Sequence, residues 1–131
     1  MIDVTFCVHD SGDYLRHTAT AIVSILENTK DNVMIHLIHD SSVKKVSIRK
    51  LENMVSSYHQ QIRFYEVNEA YFIDLAKKIK SSTQIKGFSI GTLFRLKIAE
   101  ILLLDKVLYL DSDIVVNMDL SELWNINLDS Y

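Results

Sequence analysis

The sequence predicts an α/β fold with a mostly parallel sheet and helices on both of its faces. Strand-like and helix-like hydrophobic periods alternate from the first residue onward, as they do when crossover helices connect parallel strands. The length of 131 residues fits one domain with one core. Proline is absent and glycine occurs only three times, so we expect no linker and a single domain over residues 1–131.

The first strand and helix are predicted from residues 2–28. Residues 2–8 alternate β-branched and aromatic side chains, which is typical of a strand. Residues 14–28 repeat apolar side chains on one helical face, and Asp13 is placed to cap this helix. The turn between them has no G-x-G-x-x-G motif and no P-loop. A dinucleotide cofactor and a Walker-type phosphate site are therefore not expected.

The rest of the chain continues the alternation. Two further strands are predicted at 33–38 and 62–67, with a helix at 42–57 between them. Asn68 can cap a third helix that ends near residue 79, and polar residues around Gly87 predict a loop at 80–89. A helix at 91–103 then leads to a fourth strand at 106–110. This order of elements is that of a Rossmann-like nucleotide-binding half.

The composition is that of an ordinary soluble protein. Hydrophobic residues make up 48%, charged residues 24%, and the formal net charge is −3. No basic excess indicates nucleic acid as a partner, and no run of about 18 apolar residues indicates a transmembrane segment. The N-terminus lacks a secretory signal, so we expect a cytoplasmic protein in which Cys7 is a buried, reduced thiol.

The run V-L-Y-L-D-S-D-I-V-V at residues 107–116 carries the strongest chemical signal. Its apolar strand stops at Asp111 and Asp113, which places two carboxylates where open α/β sheets bind ligands. Two carboxylates about 4 Å apart repel by about 4 kcal/mol at an effective dielectric constant of about 20. A divalent cation would remove that repulsion, and carboxylate oxygens suit Mg²⁺ or Mn²⁺. A solvated turn without a ligand is the alternative.

The predicted helix at 91–103 offers a cation for the same strand end. Thr92 and Arg95 share one face of this helix. Arg95 could brace the aspartates or contact a phosphate. The alternative is a surface ion pair between Arg95 and Glu100 or Asp119.

The turn after the first strand offers groups for a ligand as well. His9 and Asp10 supply hydrogen-bonding groups, and Tyr14 supplies an aromatic face. His39 ends the second predicted strand and could face the same edge of the sheet. Simple turn chemistry is the alternative for this segment.

Three blocks of the sequence, in the right order, resemble family 8 glycosyltransferases of the GT-A fold, a family that includes bacterial lipopolysaccharide galactosyl- and glucosyltransferases and glycogenin. The first two resemble the family's uridine-binding turn and arginine helix, and read V-T-F-C-V-H-D-S-G-D-Y-L and T-L-F-R-L-K-I-A-E-I-L. The third resembles its D-x-D strand and reads D-K-V-L-Y-L-D-S-D-I-V-V-N-M-D-L-S-E-L-W. Together they span essentially the whole chain.

The resemblance implies a role for each of these positions. Asp111 and Asp113 would hold Mn²⁺, or Mg²⁺, against the donor diphosphate. The remaining substrate-binding positions are Ser112 beside the nucleotide, Arg95 and Thr92 near the sugar and pyrophosphate, and His9, Asp10 and Ser11 at the uracil and ribose. The family often has aspartate or asparagine where His9 stands. No catalytic nucleophile is assignable.

The implied activity is a retaining transfer of a hexosyl group from a UDP-sugar to a glycan, lipid-linked or protein acceptor. The family's third metal ligand, a histidine, and its acceptor-binding residues lie downstream of the residues present. The resemblance therefore implies the donor-binding part of a longer enzyme, inactive alone and peripheral at the inner membrane if a missing C-terminal part binds there. A non-catalytic nucleotide-binding module is the first alternative. A haloacid-dehalogenase-like phosphatase, with Asp111 as nucleophile and Asp113 as acid/base, is the second.

Overall fold

The computed structural model describes residues 1–10, 13–82 and 90–128. Its four strands are β1 (Ile2–Val8), β2 (Val33–His39), β3 (Gln61–Glu66) and β4 (Leu108–Tyr109). Its helices are α1 (Tyr14–Asn28), α2 (Lys45–Ser57), α3 (Glu69–Ser82), α4 (Ile90–Phe94), α5 (Ile98–Leu102) and α6 (Leu120–Trp124). A 3₁₀ turn, Arg95–Lys97, lies between α4 and α5. The predicted α/β class is confirmed.

The four strands form one parallel sheet in the order β3-β2-β1-β4. β1 and β2 pair along their whole length, from Ile2 opposite Val33 to Val8 opposite His39. The chain moves outward from β1 to β2 and β3, and then returns to place β4 on the free side of β1. The strand order therefore reverses between β1 and β4, and ligands of open α/β sheets bind at the carboxyl ends of the strands at such a point.

An apolar layer covers each face of the sheet. Val4, Phe6, Ile35 and Leu37 belong to the core cluster that β1 and β2 share with α1 and α2. The second cluster packs α3, α4 and α5 against the sheet, and its buried members are Ile38, Phe72, Ala76, Leu93, Phe94 and Leu102. Burying one large apolar side chain contributes about 1.5–3 kcal/mol. Burial on both faces thus fixes the two central strands, β1 and β2, and the carboxyl end of β1 forms one part of the site.

The second helix begins three residues later than predicted, because a polar turn precedes it. Asp40 Oδ1 accepts hydrogen bonds from the backbone N–H of Ser42, at 3.0 Å, and from the Ser42 hydroxyl. Such an Asx turn competes with helical hydrogen bonding, so α2 starts at Lys45.

The cap predicted at Asp13 is wrong. Asp13 adopts the left-handed conformation, with φ of 67°, and its side chain does not cap α1. The Asp10 carboxylate accepts the free backbone N–H of Leu15 instead, at 3.3 Å. The predicted cap at Asn68 is confirmed, since its Oδ1 accepts the backbone N–H of Ala70 at 3.0 Å.

The continuous helix predicted at 91–103 is broken into α4, the 3₁₀ turn and α5. The Arg95 Nε–H donates to the carbonyl oxygen of Thr92 at 2.9 Å, so a side chain takes up a backbone acceptor at the break. Leu103, with φ of 50°, follows α5 in the left-handed conformation. The predicted strand at 106–110 forms ladder pairs only at Leu108 and Tyr109.

α3 runs to Ser82, so the first residues of the loop predicted at 80–89 are helical. Residues 83–89 of that loop lie outside the described residues. Within the described ranges, no helix has the length and apolar character needed to cross a membrane.

Candidate functional site

A cleft of about 220 Å³ opens at the carboxyl ends of β1 and β4, beside the reversal of strand order. Its lining residues are Cys7, His9, Tyr14, Gly91, Thr92, Arg95, Tyr109, Asp111, Ser112 and Asp113. Six of the predicted site residues meet here, namely His9, Thr92, Arg95, Asp111, Ser112 and Asp113. Ser11 lies outside the described residues, and Asp10 is at the neighbouring start of α1.

Asp111 is held in place by two neighbours that share one of its oxygens. The Tyr109 hydroxyl donates to Asp111 Oδ1 at 2.6 Å, and Arg95 Nη2 lies 3.3 Å from the same oxygen. The guanidinium carbon of Arg95 is 4.9 Å from the centre of the Tyr109 ring. The Arg95 and Asp111 side chains are 39% and 54% exposed, so this ion pair contributes only about 0–1 kcal/mol to stability. Its role is therefore to orient the two groups.

The alternative prediction, a surface ion pair between Arg95 and Glu100, is wrong. The Glu100 carboxylate instead accepts hydrogen bonds from Lys97 Nζ at 2.7 and 2.8 Å. Asp119 caps α6 through the backbone N–H of Ser121. Among the described residues, Arg95 is thus the arginine or lysine that lines the cleft at the strand end.

Asp113 has a different environment from Asp111. It is exposed, and it has no hydrogen bond or ion pair with any other described residue. Ser112, between the two aspartates, is buried. No described residue therefore occupies the two oxygens of Asp113 or Oδ2 of Asp111, and these three oxygens can bind a cation.

Two of the residues that line the cleft, Cys7 and Tyr109, carry uncharged groups. Burial raises the pKa of the Cys7 thiol to about 12, although the nearby Arg95 partly offsets the rise. Burial and the hydrogen bond to Asp111 also raise the pKa of Tyr109. Cys7 is only partly buried, contrary to the prediction of a buried thiol, but a thiol with a raised pKa stays protonated and is a poor nucleophile. Among the described residues, Arg95, Asp111 and Asp113 bring charged side chains to the cleft.

His9 contacts a buried carboxylate. His9 Nδ1 lies 2.5 Å from Oδ2 of Asp40, a residue that is fully buried at the end of β2. Burial alone would raise the pKa of Asp40, but hydrogen bonds from Ser42 and His9 lower it below the ordinary value. The Ser42 hydroxyl oxygen in turn accepts the backbone N–H of Asp10 at 2.7 Å.

Reasoning from the sequence missed Asp40 and favoured its neighbour His39. The His39 ring is buried against Phe64, and its Nδ1 lies 3.0 Å from the carbonyl oxygen of Asp40. His39 does not line the cleft. The available signal was positional, since Asp40 follows directly on the strand that pairs with β1.

Within the described residues, one group of three side chains has ligand atoms close enough to hold a metal ion. His9, Asp40 and Glu69 bring one such atom each to within 4.8 Å of one another. Asp40 already accepts the bonds described above, and Glu69 Oε1 accepts the Ser41 hydroxyl at 2.8 Å. An ion there would compete with these hydrogen bonds, whereas Asp113 has none to lose among the described residues.

Known proteins with similar sequences and structures are glycosyltransferases. The sequence model of the family described as Glycosyl transferase family 8 matches residues 4–131. A Haemophilus influenzae protein named "Putative glycosyltransferase" is 28% identical over 119 residues, which are 90% of this chain and 34% of that protein. An Arabidopsis thaliana protein named "Probable galacturonosyltransferase-like 9" is 34% identical over 122 residues, 88% of this chain and 30% of that protein.

A crystal structure of the galactosyltransferase LgtC with donor and acceptor sugar analogues superimposes with a TM-score of 0.77 at 25% identity. The alignment covers 97% of this chain and 43% of LgtC, so the GT-A fold predicted from the resemblance is confirmed. The chain spans about a third of the length of the two curated relatives. Because the family model matches nearly all of it, the chain belongs to glycosyl transferase family 8.

Proposed function

We propose that this chain binds the sugar-nucleotide donor of a hexosyltransferase, and that the donor is a UDP-sugar bound in the cleft between β1 and β4. The observation that carries the proposal is the cleft itself. Arg95 and the two aspartates belong to separate elements and line the same cleft. The LgtC structure was solved with donor and acceptor sugar analogues, which supports a donor as the ligand. The acceptor would be a glycan, a lipid-linked sugar or a protein.

A divalent metal ion fits the residues at one end of the cleft. Asp113 and the unshared oxygen of Asp111 are hard carboxylate donors, and Mg²⁺ and Mn²⁺ use one or two such groups together with substrate phosphates. When bound, the ion would act as a Lewis acid that offsets negative charge on the diphosphate leaving group. Asp111 and Asp113 are the residues that would hold it.

The side chains of the cleft would position the donor. The Arg95 guanidinium could donate charge-assisted hydrogen bonds to the diphosphate as its charge grows during departure. Tyr109 holds Asp111 Oδ1 and so leaves the other carboxylate oxygen for the ion. Transfer with retention of the anomeric configuration follows from the family resemblance, and no side chain of the cleft is assigned as a nucleophile.

Isothermal titration calorimetry of UDP binding, with and without Mn²⁺, tests this proposal. We expect Mn²⁺-dependent binding that is lost in Asp113→Ala, because the ion would lose a ligand and the diphosphate its counter-charge. Asp105→Ala is the matched control, since it removes an exposed carboxylate that does not line the cleft.

Two outcomes would contradict the proposal. UDP that does not bind, with or without Mn²⁺, would show that the cleft is not a donor site. Turnover of an aryl phosphate that Asp111→Asn abolishes would favour the phosphatase alternative. We expect the 131-residue chain alone to transfer no sugar, and measured transfer would contradict that expectation.

A further inference from the structure

The orientation of His9 is fixed from outside the cleft. Its side chain is 23% exposed where it lines the cleft, and Asp40 behind it is completely buried. Since Nδ1 contacts the Asp40 carboxylate, Nε2 is the ring nitrogen that has no hydrogen-bond partner among the described residues. His9 therefore presents one defined nitrogen to a ligand.

Asp40 can only accept a hydrogen bond from His9. Its Oδ1 accepts two hydrogen bonds from Ser42, which leaves Oδ2 for the histidine. Its lowered pKa keeps the carboxylate ionised near neutral pH, and an ionised carboxylate has no hydrogen to donate. The hydrogen of a neutral His9 ring must then be on Nδ1, and Nε2 carries a lone pair.

We propose that Asp40 is a positioning residue that fixes the His9 tautomer, so that Nε2 accepts a hydrogen bond from a ring N–H of the nucleotide base. This inference rests on the proposed donor site and adds how the base is chosen. Uracil carries a hydrogen on its N3 nitrogen, whereas the N3 of cytosine carries a lone pair. A histidine nitrogen that only accepts would therefore favour uracil over cytosine.

The position of His9 within the cleft agrees with a contact to the base. The carboxylates of Asp111 and Asp113 and the Arg95 guanidinium suit the diphosphate. His9 and Tyr14 follow β1, whereas the aspartates follow the neighbouring strand β4, and Tyr14 adds an aromatic ring on which a base can stack. The base would thus lie at the end of the cleft where Asp40 acts.

Nitrogen-15 NMR of the histidine rings tests the tautomer without any ligand. At a pH where histidines are neutral, we expect His9 to carry its hydrogen on Nδ1 in the wild-type chain. In Asp40→Asn the side-chain amide can donate to Nδ1, so we expect the hydrogen to move to Nε2. A hydrogen on Nε2 of His9 in the wild-type chain would overturn the inference. This measurement uses the wild-type chain alone, so it does not depend on whether a variant folds.

Calorimetry with UDP and CDP, each with Mg²⁺, tests the consequence for binding. We expect the wild-type chain to bind UDP about tenfold or more tightly than CDP, because a lone pair facing a lone pair costs a hydrogen bond. Asp40→Asn should lower the UDP affinity about tenfold and reduce the preference for UDP. Asp74→Asn, at an exposed carboxylate paired with Lys78 on α3, is the matched control and should keep the preference.

His9→Gln is a second variant that does not depend on Asp40. Glutamine can turn either its oxygen or its amide nitrogen toward the base, so we expect UDP and CDP to bind it with similar affinity. Equal binding of UDP and CDP by the wild-type chain, or an unchanged preference in both variants, would overturn this inference alone. If UDP does not bind the wild-type chain at all, the proposed donor site fails instead.

Discussion

At the scale of single residues, the site depends on which atoms are already occupied. Asp111 shares one oxygen between Tyr109 and Arg95, while Asp113 has no partner among the described residues. The sequence shows two equivalent aspartates, but the fold makes them different. One carboxylate is oriented by its neighbours, and the other is free to bind an ion.

Replacing Arg95 by alanine tests how its positive charge is used. We expect UDP affinity to fall by about tenfold to a hundredfold in Arg95→Ala, because a charge-assisted hydrogen bond to the diphosphate contributes about 1.5–3 kcal/mol. The free energy of unfolding should change by less than about 1 kcal/mol, since the ion pair with Asp111 is exposed. Calorimetry and denaturant unfolding measure the two effects.

Lys97→Ala is the matched control for the Arg95 variant. Lys97 carries the same charge two residues away, but it pairs with Glu100 and does not line the cleft. We expect it to keep its UDP affinity. Equal losses in the two variants would mean that Arg95 acts only through the overall charge of the chain.

The buried Asp40 predicts a pH dependence of stability. Its pKa is lowered in the folded chain, although burial opposes this, because Ser42 and His9 donate hydrogen bonds to the carboxylate. A lowered folded pKa gives a stabilisation that is present above the unfolded pKa of about 3.9 and is lost as the pH falls through the folded pKa. The deficit of Asp40→Asn relative to wild type should therefore stay nearly constant from pH 7 to about 4 and shrink as the pH falls further, through the folded pKa of Asp40.

Denaturant unfolding of both proteins at several pH values measures this change. Asp74→Asn serves as the control, because its exposed ion pair on α3 should give a small difference at every pH. A deficit for Asp40→Asn that already shrinks between about pH 7 and 5, or that does not shrink at any pH below about 4 at which the wild-type chain still folds, would contradict the role assigned to the ionised carboxylate.

At the scale of elements, the spacing of hydrophobic residues predicted which segments form helices and strands. Hydrogen bonds from local side chains determine where some of these elements begin and end. The bounds of β1 and α1 follow the apolar pattern. The start of α2 instead follows the Asx turn at Asp40, and the break after α4 coincides with the bond from Arg95 to the Thr92 carbonyl. A period of apolar residues contains no information about such bonds.

The contact between His9 and Asp40 shows a second reason why sequence was insufficient. The two residues are 31 positions apart, and they meet because β1 and β2 are parallel neighbours. The D-x-D pair could be found from its own run of residues, since the strand and the carboxylates are adjacent in sequence. Predicting the contact of Asp40 with His9 would have required knowing which strands are neighbours in the sheet.

The apolar side of α4 is expected to hold Arg95 at the cleft. Phe94 is fully buried, with its ring centre 4.7 Å from that of Phe72. Phe94→Ala should destabilise the chain by about 3–5 kcal/mol, the range for a phenylalanine removed from a core. Leu96→Ala is the control two residues away, and its 63% exposed side chain should cost less than about 0.5 kcal/mol. Similar losses in thermal or denaturant unfolding for both variants would contradict this packing.

At the scale of the whole molecule, the two sides of the cleft differ in how firmly they are held. β1 is buried and pairs with a strand on each side, whereas β4 pairs through only two residues, Leu108 and Tyr109, which are half-buried. The residues that bear the proposed metal ligands therefore follow the more weakly paired strand. The free chain should open there at a lower free energy than at β1 and β2.

Hydrogen–deuterium exchange measured by mass spectrometry tests this difference. We expect the amides of β1 and β2 to exchange slowest and those of residues 108–113 to exchange much faster, because local opening of a short edge strand breaks few hydrogen bonds. UDP with Mg²⁺ should slow exchange at residues 108–113 and leave β1 and β2 nearly unchanged, since a ligand stabilises the closed state of the segment it touches. Asp113→Ala should remove this protection while keeping the slow exchange of β1.

Two results would contradict these expectations. Equal protection of β1 and β4 in the free chain would contradict the difference in pairing. Protection by the ligand that is confined to α1 and α2 would place the nucleotide elsewhere.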